Sequence, residues 1–175
     1  MRTYLLASFP SLSFGSAPSL SLDDFLFACG EHLSKSDLRE LNAACSNPDQ
    51  GTSAFAKEWA QAKAQSQTFN QQEREQRLSQ EKPEPFFMES DQLRSQNEQA
   101  WLAADPLLRE QALLRSLWDW IENQRRKAPF TLTDVMGYAL QLQLIDRKSM
   151  WNESAGQIQF KENTQTFLPV LEQAI

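Results

Sequence analysis

The sequence predicts an all-α, single-domain protein: a bundle of six or seven helices spanning residues 1–175, with one long polar helix near 52–80. Three observations carry that expectation. Apolar residues recur at three- and four-residue intervals in several stretches, the spacing that lines up one side of a helix. Helix-start residues precede these stretches, and prolines or basic clusters follow them. Only five glycines occur in 175 residues, too few for glycine-rich phosphate loops or many tight hairpins. A chain of this length can bury a core without disulfides or metal.

The central element is expected around Pro106–Arg126. Asp105 offers a capping oxygen, and Pro106 suits the first helical position, where its missing N–H is no loss. Leu107, Leu114, Leu117, Trp118 and Ile121 then fall on one side, widened by Leu108 and Leu113. Arg125, Arg126 and Lys127 close the helix at its negative end, and Pro129 stops it.

In chain order, Tyr4–Phe9 reads as either an extended piece or a helical turn. Pro10, Gly15 and Pro18 make the following connection irregular. Ser21-Leu22-Asp23-Asp24 starts a helix with Phe25, Leu26, Cys29 and Leu33 on its inner side. Ser34-Lys35-Ser36-Asp37 starts another, carrying Leu38, Leu41 and Cys45, so that the two form a hairpin. Ser46–Gly51 is a turn. In the long helix, Phe55, Trp59, Ala62, Ser66 and Phe69 step by four and three, a seam that ends in the polar run Gln71–Arg77. Glu73 and Arg77 are spaced to pair across one turn of that exposed end. Lys82-Pro83-Glu84-Pro85 breaks the helix and places a hinge at 81–86; Phe86-Phe87-Met88 is too apolar to dangle. A helix with Leu93, Ala100 and Trp101 leads into the central one. After Pro129, Thr131-Leu132-Thr133-Asp134 starts a helix with Val135, Met136, Ala139, Leu142 and Ile145 inside. A last helix is expected from Glu153, with Phe160, Phe167, Leu168 and Leu171 on its apolar side.

A net charge of −6 argues against nucleic acid as a partner, because neutralising phosphates needs a basic surface. It equally disfavours unaided docking on anionic lipid. No apolar run reaches transmembrane length, so direct membrane insertion is not expected. The amino terminus has the outline of a short signal peptide, but Ser8, Pro10, Ser11 and Ser13 interrupt its apolar part; it is expected to begin the fold. Cys29 and Cys45 are expected as reduced thiols of a cytoplasmic protein.

No constellation for catalysis emerges. His32 is the only histidine, so a paired-imidazole metal site has no second ligand. The cysteines lack Cys-x-x-Cys spacing. Asp23, Asp24, Asp37, Asp105 and Asp134 sit where helix starts want negative charge. Catalytic, cofactor-binding and metal residues are therefore all expected to be none. Aromatic and basic residues point to protein contacts instead. Trp118 and Trp120 are two apart and cannot share one helix face, which makes Trp120 a candidate interface anchor. Trp151, Phe69, Arg125 and Arg126 join it as candidate interface residues.

Three stretches also resemble a known family. Tyr4–Leu12 with Leu20–Phe25, then Asp105–Glu110, then Tyr138–Arg147 with Gly156–Phe160, are similar to short bacterial proteins encoded alongside V-type ATP synthase genes. These are packing patterns and not catalytic signatures, and they span most of the chain. Gln141 stands where a lysine is expected in related sequences. The resemblance implies a non-catalytic cytoplasmic protein, peripheral to the membrane through the rotary ATPase. Its expected partners are V-type ATP synthase subunits, with a role as assembly factor or as a shortened helical counterpart of the central-stalk cap, the helical funnel between the shaft and the membrane ring. The alternative is a free-standing helical adaptor, a homodimer through helix 54–80. A small helical enzyme comes third.

Overall fold

Side-chain oxygens mark where the helices begin. Ser21, Ser34 and Ser90 accept from the amides of Asp24, Asp37 and Leu93, and Asp105 from that of Leu107, each satisfying a donor that a helix start leaves unpaired. In the computed structural model, which describes residues 2–79 and 87–151, these caps open four of seven α-helices. The helices are α1 (Arg2–Ser8), α2 (Leu22–His32), α3 (Lys35–Ser46), α4 (Ala54–Ser79), α5 (Asp91–Ala100), α6 (Pro106–Lys127) and α7 (Leu132–Ser149). A 3-10 turn, Pro48–Gln50, separates α3 from α4, and no strand occurs among the described residues. The expected all-α bundle is what forms. Tyr4–Phe9, ambiguous by periodicity, resolves mostly into α1. The expected hinge at 81–86 and the final helix from Glu153 lie outside the described residues.

The start of α4 is capped by its own Ser53, whose Oγ accepts from the amide of Ala56 at 3.2 Å, and is braced from another helix. Glu40 on α3 reaches across the turn, and its carboxylate accepts from the amides of Thr52 (3.0 Å) and Ser53 (2.9 Å) and from the Thr52 hydroxyl. These donors hold Glu40 far below the ordinary glutamate value, at about 2, with the Thr52 side-chain bond the largest cause. The turn itself needs Gly51, since a Cβ there would stand 2.4 Å from the Cβ of Ala56.

The axis of the molecule is α7, not α6. From Asp134 to Leu142 every residue of α7 is buried, a helix covered on all sides. Its expected inner residues, Val135, Met136, Ala139, Leu142 and Ile145, are inside, and so are Leu140, Gln141 and Leu144 on its other flank. α6 returns antiparallel along one side, while α1, α2 and α3 cover the others. Phe9, Phe25 and Tyr138 form an aromatic cluster with ring centres 4.9–5.6 Å apart. The irregular segment after α1 is pinned to α7 twice: the Tyr138 hydroxyl donates to Pro10 O at 2.8 Å, and the Lys148 ammonium to Phe14 O at 2.8 Å. α2 and α3, expected as a hairpin, each take their main support from α7.

On α6 the apolar side begins a turn later than its spacing indicates. Leu113, Leu114, Trp118 and Ile121 are buried, but Leu107 and Leu108 are 41% and 56% exposed. Periodicity gives the face of a helix; it does not say how far along the axis a neighbour extends to cover it.

A second, smaller core lies on the opposite side of α6. Ala62 and Phe69 of α4, Met88, Leu93 and Ala100 of α5 and its approach, Trp101 and Leu113 make it up. Met88 tucks in as expected, whereas Phe87 beside it is exposed. At the centre is a buried polar chain: Asn97 donates to Ser66 Oγ (3.0 Å), and Ser116 donates to Asn97 Oδ1 (2.7 Å). The single Ser116 hydroxyl proton is shared between that oxygen and Leu113 O at 2.8 Å.

A candidate interaction groove

The residues singled out from sequence do not converge on one surface. Phe69 is buried in the smaller core and so is used within the chain, not as an exposed anchor. Trp120 is half-buried, packed on Phe55 and Trp59 of α4 with ring centres 6.1 and 5.9 Å away, and it joins both cores. Trp151 is half-buried against the larger core. Arg126 is exposed and pairs with Glu122 one turn away at 3.2 Å.

Arg125 is the centre of an internal polar network. Its Nε donates to Asp134 Oδ1 at 2.7 Å, its Nη1 to Gln141 Oε1, and Gln141 Nε2 donates onward to Glu122 at 2.9 Å. Asp134 Oδ2 accepts from the amide of Phe130 at 2.9 Å, fixing a residue with φ 60°, a left-handed conformation rare outside glycine. So Asp134 is the helix-start charge expected, in the first turn of α7, and it also bonds both sides of the α6–α7 reversal. Gln141 is fully buried and spends its amide inside this network. Gly137 makes room for it, because a Cβ there would lie 2.5 Å from Arg125 Cγ.

Arg77 likewise differs from expectation. It does not pair with Glu73 but donates to Trp101 O and lies over the Trp101 ring, which Arg109 covers from 4.5 Å. The indole N–H of Trp101 donates to Asn70 at 2.9 Å. These contacts fasten the polar end of α4 to the α5–α6 connection.

Burial is the main cause that pushes Cys29 and Cys45 up to about 12, and Cys29 is near enough to Cys45 to be raised further by its charge. They are free, not joined. Among the described residues no group of three histidine, cysteine or acidic side chains is placed to hold a metal ion, and no helix is long and apolar enough to cross a membrane.

A concavity with an apolar floor, not legible in the sequence, opens between α4, α6 and α7. It is a cleft of about 620 Å³. Leu113, Leu114 and Leu117 of α6, Leu140 and Leu144 of α7, and Trp59 of α4 form its base. Its rim is polar, with Lys63 and Arg74 of α4 and Arg147 of α7 facing a single acid, Glu110 of α6. Arg74 and Glu110 bond to each other at 3.0 Å. No spacing rule brings Lys63 and Arg147 to one opening, since that depends on how far α4 stands off from α7.

No family model, curated protein or solved structure matches this chain.

Proposed function

We propose that this protein is a non-catalytic helical component or assembly factor of a bacterial V-type ATP synthase, the component role being that of a shortened counterpart of the central-stalk cap. The observation that carries the interaction reading is an exposed apolar tip. Leu102, Leu107 and Leu108 lie at or just before the start of α6, and Met150 lies just past the end of α7. Because α6 and α7 run antiparallel, these residues gather at one end of the bundle. Large apolar side chains left exposed at the end of a bundle are what a contact surface for another macromolecule uses. The rotary ATPase is named from the resemblance of Tyr4–Leu12, Asp105–Glu110 and Tyr138–Arg147. The first two of these stretches hold most of α1 and the capped start of α6, and the third runs from the buried middle of α7 to its exposed end.

Reconstitution with purified V-type ATP synthase components tests this reading. The chain should be retained in the complex, and Leu107→Glu/Leu108→Glu should release it while leaving its helical content unchanged. Consistent absence of the wild-type chain from the complex counts against it. The alternative, an adaptor dimer through residues 54–80, loses the anchor that motivated it, because Phe69 is buried within the chain. Such a dimer would have to use the exposed side of α4.

A further inference from the structure

We infer that the α4–α6–α7 cleft is a binding site for a long-chain carboxylate: its buried leucines take the acyl chain, and Lys63 and Arg147 take the anionic head. This goes beyond the ATPase reading and does not depend on it.

The size comes first. A volume of about 620 Å³ lies within the usual range for small-molecule sites, about 300–1,000 Å³. Its floor is leucine from two helices, with Leu114 and Leu144 only 3% and 7% exposed. An unbranched polymethylene chain, far slimmer than a helix about 10–12 Å across with its side chains, suits a floor this little exposed.

The rim decides the head group. Most of its polar side chains are already engaged. Asn70 accepts from Trp101, Gln143 donates to Cys45 O, Ser66 accepts from Asn97, and Gln71 donates to Glu75. Arg74 and Glu110 are spent on each other. Among the described residues, Lys63 and Arg147 have no ion-pair partner, and both are exposed at the opening. Three cations against one acid make the rim net basic on a chain whose net charge is −6. A site that is apolar below and cationic above selects an amphiphile with an anionic head, and guanidinium matches carboxylate in two-point geometry. No histidine or cysteine lines the cleft, and its acid is held by Arg74.

Calorimetric titration of the full chain with laurate, decanoate and dodecyltrimethylammonium tests this directly. Laurate should bind saturably, one per chain. Decanoate, two methylenes shorter, should bind about sixteenfold more weakly, since each buried methylene changes affinity by about fourfold. Dodecyltrimethylammonium, with a similar tail and the opposite head charge, should be weaker than laurate by at least about tenfold. Lys63→Glu/Arg147→Glu should remove the preference for the anion. Gln67→Trp, a change on the exposed side of α4 at the opening, should block laurate while circular dichroism stays unchanged. No saturable laurate binding, equal affinity for the cationic amphiphile, or wild-type affinity in both variants would each overturn the inference. So would binding to phosphatidylglycerol vesicles without binding to free laurate, which would make the cleft's neighbourhood a membrane contact.

Discussion

The two cores on either side of α6 are built by different rules. The larger one, where α1, α2, α3 and α6 close around α7, is almost wholly aliphatic and aromatic. Its polar exception, the Arg125–Asp134–Gln141 network, sits at the helix reversal. The smaller one, under α4 and α5, has seven buried apolar residues and a polar chain, Ser66–Asn97–Ser116, through its middle. Apolar burial sets how strongly elements are held, whereas a buried hydrogen-bonded chain sets how they are placed. The cleft opens beside the smaller core: α4 gives Phe55 and Trp59 to the larger core at its start, and further along it is held by Phe69 and by hydrogen bonds of Ser66, Asn70 and Arg77.

Substitutions can sharpen or break this contrast. Ile121→Ala, at a fully buried site in the larger core, should cost about 4 kcal/mol in chemical unfolding, within the range for such truncations. A loss below about 1 kcal/mol would mean the larger core is not the source of stability. Next is Arg125→Leu, which leaves Asp134 buried and unpaired and should cost about 3 kcal/mol. Arg125→Leu/Asp134→Leu should recover much of that, and a double variant as unstable as the single one would show that packing, not the stranded charge, is responsible. Asn97→Ala removes the donor to Ser66 and the acceptor of Ser116, which keeps its bond to Leu113 O, and should cost about 2 kcal/mol, with the loosening confined to α4 and α5 in hydrogen exchange.

The smallest effect is expected at the junction of α3 and α4, and it depends on pH. Glu40 is held at about 2 against an ordinary 4.5, so its contribution is complete above pH 4.5 and lost as the pH falls through 2. At this exposed site it is worth less than about 1 kcal/mol. Melting curves of wild type and Glu40→Gln should therefore differ at neutral pH and converge near pH 2; a difference constant across that window contradicts the cap.

Much of the fold was legible because local chemistry writes it. Ser21, Ser34 and Asp105 cap where their positions indicate, and α6 stops before Pro129. What was not legible depends on distance through space. Leu107 and Leu108 have the right spacing for a core and lack a neighbour to cover them. Phe69 looks like an interface residue until α5 is folded against it. Asp134 and Gln141 acquire their roles only when α6 turns back on α7, and the cleft exists only through the stand-off of α4. The candidate site was therefore the least readable part, because it is a gap between elements and not a motif within one.

Native-state hydrogen exchange tests most directly the claim that the apolar core around α7 is held more strongly than the smaller core under α4. The amides of α7 from Val135 to Ile145 should exchange only through global unfolding. Those of α4 from Gln67 to Arg77 should exchange through a smaller opening, at least about tenfold faster under the same conditions. Equal protection of the two helices would contradict the account.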